Sequence, residues 1–334
     1  MSQILCRIMV VTCLLVTHAS GTAANSQDRV TKNEYKSASP GGTTAFPFEW
    51  YRGHILLKVD VNGTELRLTL DNGVLWDSLL LYGGPRIDGL GLKYDGKGRL
   101  GVDGGAASTT TDTASGITIR LGDIELKNQS AVVTPASSSM SKMFRGEDGV
   151  ISGSLFKHFV VQIDFDRKVI TLIEPSRFEY KGEGQAMPLT PFGRGAYTLP
   201  CTLHMQDGSS TVVNPVLDLG GLQPLLLFLG KRNDVSVPKD AIPAQLAVTW
   251  TGFIGRVQRL QIGKYSLENV ITGFTEDEGR LGKDCEGLLG PPIFERFTVT
   301  FDYGNKTVFL EPNAHFHDEF KSPRVGLRPK EKGD

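Results

Sequence analysis

The sequence predicts an all-β molecule built as two homologous, partly closed β-barrel lobes with a cleft between them. Three observations carry that prediction. Segments of the first half recur in the second half in the same order. Apolar and polar residues alternate with the period of a strand through most of the chain, punctuated by Gly-containing turns. Helical periodicity is weak, its best candidates being the short runs "GSLFKHF" and "PPIFERF". With 39 Gly among 334 residues, the composition suits a turn-rich chain long enough for two ordinary domains.

The first element is "HILLKVDVNGTELRLTLDNG", which reads as a strand, a turn at Asn62-Gly63, a second strand, then Asp71. Its counterpart is "YTLPCTLHMQDGSSTVVNPVLDLGG", with a turn at Asp207-Gly208 and then Asp218. Next come two hairpins with the same internal spacing. "ITIRLGDIELKNQSAVV" carries Gly122, Leu126 and Asn128 where "VQRLQIGKYSLENVITG" carries Gly263, Leu267 and Asn269. The third pair aligns without gaps until its last few residues. "GVISGSLFKHFVVQIDFDRKVITLIEP" sets Gly149, Phe156, Phe159, Asp164 and Lys168 on Gly287, Phe294, Phe297, Asp302 and Lys306 of "GLLGPPIFERFTVTFDYGNKTVFLEP". Repeated units in a fixed order mark a duplicated supersecondary unit. The lobes are assigned to residues 46–175 and 176–312.

The remaining segments read as export and solvent-facing chain. "MSQILCR" followed by "IMVVTCLLV" is too short to span a bilayer and is followed by the small residues of "THASGTAA", which makes residues 1–24 a signal peptide. Residues 25–45 are polar and Gly/Ser/Thr-rich, a linker, and 313–334 form a basic tail. The mature protein is then expected in the periplasm or outside the cell, as a monomer with no stable membrane insertion. Removal of the signal leaves Cys201 and Cys285. In an oxidising compartment these can form one disulfide; two buried free thiols is the other reading. A net charge of −1 with no basic stripe before the tail gives no case for nucleic acid.

Asp71 and Asp218 follow equivalent strands and each begins an Asp-x-Gly turn, with Gly73 and Gly220 free to take a backbone other residues resist. Lobes related by a pseudo-twofold axis bring equivalent residues together when these lie near the axis. Two carboxyl groups about 3 Å apart hold one proton between them. The ionised member can activate a water and the protonated member can donate to a carbonyl oxygen. Asp164 and Asp302, each before a "DRK" or "YGNK" turn, read as structural, and Asp77 sits beside the site. Trp76 and Trp250 are core or cleft residues. His315 and His317 lack a third ligand, so no metal or cofactor is expected, and no zinc-protease, Walker or Gly-x-Ser-x-Gly motif is present.

On these residues the chain resembles the pepsin- and retropepsin-like aspartic proteases, in particular bacterial exported two-lobe members. The resemblance rests on "TLDNGV" and "VLDLGG" and on the apolar-apolar-Gly loops "GLLG" and the looser "GVISG". It implies the acid-protease fold, a catalytic pair Asp71 and Asp218, peptide or unfolded polypeptide as substrate, and a mobile lid hairpin in the region Asp95–Ser115. The family's hydroxyl residue after each Asp is here Asn72 and Leu219. An Asn amide can both donate and accept, so Asn72 can replace one interlobe bridge, whereas Leu219 can make none. Ser152 stands where the apolar loop expects Gly. The alternative function is therefore a catalytically impaired relative that binds peptide in the cleft.

Overall fold

The computed structural model describes residues 15–16, 35–37, 41–73, 79–102, 107–144, 146–193, 195–230, 232, 234–246, 250–276 and 285–321. Strands dominate, organised as one sheet in each half and one shared between them. The first-lobe sheet runs in space through Tyr94–Val102, Ala107–Leu121, Ile124–Thr134, Leu79–Tyr82, Gly149–Ile151, Thr64–Leu70, His54–Val61 and Glu49–Tyr51. A further pairing, Asp60 opposite Arg120 and Val61 opposite Ile119, closes this run into a barrel. Inside it Ile55, Leu57, Val59, Leu66, Leu68 and Leu70 are fully buried, as the alternation predicts.

The second lobe repeats the plan with one interruption. Its sheet runs through Ala196–Thr198, Val216–Leu217, Gly287–Leu289, Leu225–Phe228, Tyr265–Thr275, Thr251–Ile262, Cys201–His204 and Ser210–Val213. The strand pair that is continuous in lobe one is here split at Pro200 and Pro215, because proline has no N–H to give the ladder.

The duplication extends to backbone dihedrals. Gly63 and Gly208 have φ of 85° and 86°, Gly122 and Gly263 of 52° and 57°. The non-glycine pairs Asn128/Asn269 and Lys168/Lys306 are also left-handed, at 54° and 53° and at 53° and 52°. Asn128 lies where the register between Ile124–Thr134 and Ala107–Leu121 shifts, so it is a bulge residue; Asn tolerates this region better than most.

Two side-by-side barrels prove to be an incomplete description. The third sheet has six strands in the order Gln185–Pro188, Thr307–Pro312, Phe297–Asp302, Val160–Asp164, Val169–Ile173, Thr43–Pro47. The matched hairpins of the two halves meet at its centre, Ile163 opposite Val299, and so weld the lobes together. Beneath it Phe156 packs on Phe301 and Tyr303, and Phe294 on Phe301, at centroid distances of 5.5, 5.4 and 5.9 Å. Each such ring pair is worth roughly 0.5–1.5 kcal/mol beyond area burial. The expected short helices are Ser154–His158 and Pro291–Phe294.

The ends of the chain differ from the expected boundaries. Thr43–Pro47 already pairs with Val169–Ile173, and Tyr35–Ser37 pairs with Ile124–Leu126, so part of the 25–45 linker is strand. The 313–334 tail begins as packed chain: Arg296, 3% exposed, donates to the carbonyls of His315 and Asp318 and stacks on Phe320. Of residues 1–24 only Leu15–Val16 is described, paired with Leu100–Gly101; the rest of the signal segment lies outside the described residues. Among the described residues no helix is long and apolar enough to cross a membrane.

Candidate active site

Each candidate aspartate ends a strand that lies in the same local frame. Thr64–Leu70 runs parallel to Gly149–Ile151, which pairs antiparallel with Leu79–Tyr82. Val216–Leu217 runs parallel to Gly287–Leu289, which pairs antiparallel with Leu225–Phe228. The apolar loops thus catch the aspartate backbones. Asp71 N donates to Ile151 O at 3.1 Å and Asp218 N to Leu289 O at 2.9 Å. The frame is tied at its base by equivalent acid–arginine pairs. Asp148 accepts from Arg67 N and pairs with Arg86 at 3.4 Å; Glu286 accepts from Asn214 N and pairs with Arg232 at 2.9 Å.

The turns themselves match. Asp71 Oδ1 accepts from Gly73 N at 2.8 Å and Asp218 Oδ1 from Gly220 N at 3.0 Å, so each carboxylate stiffens its own loop. Both side chains are fully buried. The lobes interlock through the glycines. A Cβ on Gly73 would lie 2.7 Å from Asp218 Oδ1, and one on Gly220 2.5 Å from Asp71 Cγ. Each carboxyl group therefore rests on the other lobe's loop, and only glycine permits that approach. The structure brings Asp71 and Asp218 together, with Gly73 and Gly220 between them.

Asn72 crosses from one lobe to the other. Its Oδ1 accepts from Leu219 N at 2.8 Å, and its Nδ2 donates to the Tyr303 hydroxyl at 2.8 Å. It is 1% exposed, so neither bond competes with water. Leu219 is fully buried in the apolar core and contributes only its backbone N–H to this contact. Burial pushes the Tyr303 phenol far above the usual range, with the neighbouring Tyr197 and Asp71 acting in the same direction, so it stays neutral.

Tyr303 was legible in one place only. It stands where the internal alignment puts Phe165, a hydroxyl present in one copy and absent from the other. His54 and Glu147 also escaped notice. His54 is 1% exposed at the start of an apolar strand, where burial lowers its pKa to about 4. Glu147 accepts from the Thr69 hydroxyl at 2.7 Å, and burial raises its pKa. Burial first, then Glu147 and Asp71, hold the Tyr82 phenol well up, and its ring stacks on Phe144 at 5.0 Å.

Other expectations sort quickly. Asp164 and Asp302 cap turns, accepting from Arg167 N at 2.8 Å and Asn305 N at 3.1 Å. Trp250 is core, edge-on to Phe228. Trp76 and Asp77 lie outside the described residues. The region Asp95–Ser115 is a hairpin of Tyr94–Val102 with Ala107–Leu121, tied by Thr113 to Asp95 and by Lys97 to Asp112; its connecting residues are outside the described set. Among the described residues no three His, Cys, Asp or Glu cluster as a metal site.

Of the two readings of Cys201 and Cys285, the structure has the second: both are buried free thiols. They belong to different apolar clusters, Cys201 with Leu203 and Leu260, Cys285 with Trp250 and Phe228. Each Sγ instead faces a carbonyl close by in sequence, Leu199 O and Gly287 O.

No protein-family model and no curated protein sequence matches the chain. Among solved structures, an aspartic proteinase from Irpex lacteus superposes with a TM-score of 0.55 at 15% sequence identity, over 81% of this chain and 98% of that one. The fold is that of a pepsin-like aspartic proteinase. At such identity the likeness establishes the fold and leaves the chemistry to the residues themselves.

Proposed function

We propose that this protein is an aspartic endopeptidase, cleaving peptides or unfolded polypeptides with a water activated between Asp71 and Asp218. The observation that carries the proposal is the reciprocal seating of two buried carboxylates, each on the other lobe's glycine loop. Like charges so placed cannot both ionise, so the pair holds one proton. The ionised carboxylate removes a proton from water as the oxygen attacks the peptide carbonyl. The protonated one donates to the carbonyl oxygen, giving a neutral gem-diol. Collapse of the diol returns a proton to the departing nitrogen and restores the shared proton. The two aspartates can do this chemistry by themselves.

The Asn72 bridge supports the proposal, because it holds the loops in register without the family's hydroxyl. One observation favours the second reading, a peptide-binding relative with impaired chemistry: Leu219 provides no reciprocal side-chain bridge, and loose support lowers rate. The signal-like N-terminus supports an exported protein, in the periplasm or outside the cell.

Cleavage of an unfolded protein by the chain lacking residues 1–24, between pH 3 and 7, tests the proposal. The isosteric variants Asp71→Asn and Asp218→Asn should each lose about 100-fold or more in kcat. Cleavage that survives both substitutions, or no cleavage by the folded wild type on a broad substrate mixture, rejects it.

A further inference from the structure

The second lobe's aspartate loop is gripped from the first lobe at one place that the Asn72 bridge does not account for. The tight turn Tyr51–His54 has left-handed φ at Arg52 and Gly53, 52° and 87°, and it presses against the residues that follow Asp218. A Cβ on Gly53 would lie 3.1 Å from Leu222 Cδ2. His54, next in the chain, meets the backbone of Gly220, the glycine against which the Asp71 carboxyl group packs.

The Gly220 N–H is already taken by Asp218 Oδ1 at 3.0 Å. The group left for His54 is the Gly220 carbonyl, consistent with the way Gly220 favours the protonated ring. Burial keeps the imidazole neutral above about pH 4, with one N–H to donate. Neither ring nitrogen reaches a hydrogen bond of normal geometry among the described residues, although the ring is 1% exposed and its neighbours on the strand are Ile55, Leu56 and Leu57. A buried imidazole without a partner is unfavourable.

We propose that His54 is a positioning residue: its ring N–H ties the Gly220 carbonyl to the first lobe and so holds the Asp218 loop against Asp71. It would supply from the opposite lobe the second interlobe tie that Leu219 does not make. The inference rests on the peptidase reading of Asp71 and Asp218, and its test is arranged so that the two can fail separately.

Two variants of the chain lacking residues 1–24 are compared with the wild type, His54→Phe and His54→Gln. Kinetics on an unfolded protein substrate and thermal unfolding are measured side by side. His54→Phe fills the site and cannot donate; kcat should fall tenfold or more with KM within twofold. His54→Gln keeps an N–H donor and should recover most of that loss. Equal kcat in the two variants, whether near wild type or lowered in step with the unfolding temperature, overturns the positioning role. A folded but inactive wild type rejects the peptidase reading. In that case, or if His54→Phe does not fold, nitrogen-15 NMR of the wild-type ring decides. A ring N–H that exchanges slowly and shows a nuclear Overhauser contact with Gly220 supports the tie. A ring N–H that exchanges freely, or that is protected without that contact, overturns it.

Discussion

Replacing Asn72 with Ala removes both bonds of the interlobe bridge. Leu219 N–H and the Tyr303 hydroxyl then stay buried without these partners, since Asn72 is 1% exposed and Tyr303 7%. An unsatisfied buried group costs about 1–3 kcal/mol, so the sum for the two is roughly 2–6 kcal/mol. For a chain of this size that corresponds to a fall in Tm of roughly 3–9 °C. Tyr303→Phe removes one member only and should cost about 1 kcal/mol. Because the two side chains share a bond, the double variant should be less damaging than the sum, with a coupling of about 0.5 kcal/mol or more. The same change loosens the aspartate loops, so kcat should fall about 10-fold or more while KM holds. Calorimetric unfolding of the four proteins, with kinetics on one substrate, reads both effects. Additive unfolding energies, or an Asn72→Ala protein with unchanged Tm and kcat, would refute the bridge.

Other outcomes follow from single groups. His54 titrates at about 4 when folded and near 6.5 when free, so the unfolded chain binds the extra proton between those values. Its contribution, about 3 kcal/mol, is complete above pH 6.5 and lost as pH falls towards 4. Denaturant unfolding of His54→Leu should show a shallower pH slope in that window; an unchanged slope contradicts the buried neutral ring. Gly220→Ala would drive a methyl into the Asp71 carboxyl group, costing about 1–3 kcal/mol and most of the activity, whereas an active Gly220→Ala protein would mean that the lobes do not meet there. Cys201 and Cys285 should be silent to a thiol reagent until unfolding, since both are buried and burial raises both, Cys285 to about 12. Prompt modification of the native protein, or no free thiol after denaturation, would contradict the free buried pair.

The lobes were legible because duplication wrote the same turns twice. Gly63 and Gly208, or Lys168 and Lys306, were aligned on sequence alone and take the same left-handed backbone. The aspartates were found the same way, from position in the repeat rather than from the Asp-x-Gly motif itself. The shared sheet was hidden, since alternation in Val160–Asp164 and Phe297–Asp302 gives the face that is buried and not the partner strand. His54 and Tyr303 were missed for a related reason. Each is a polar group at the end of an apolar strand, which looks like tolerated variation until the opposite lobe supplies Gly220 or Asn72 as its neighbour. The sequence left both readings of Cys201 and Cys285 open because spacing in the chain says nothing about Cα separation across a barrel; the structure has the free thiols.

The central claim is that Asp71 and Asp218 stabilise a tetrahedral gem-diol and do not merely line a peptide groove. The most direct measurement is the affinity of a peptide in which a secondary alcohol replaces the scissile amide, against the matched uncleavable amide peptide, by calorimetry. The alcohol mimics one hydroxyl of the diol, so the wild type should bind it about 100-fold tighter, and Asp71→Asn or Asp218→Asn should lose that preference while keeping the affinity for the amide. Equal affinity for alcohol and amide in the wild type would contradict the account and leave a groove that binds peptide without acting on it.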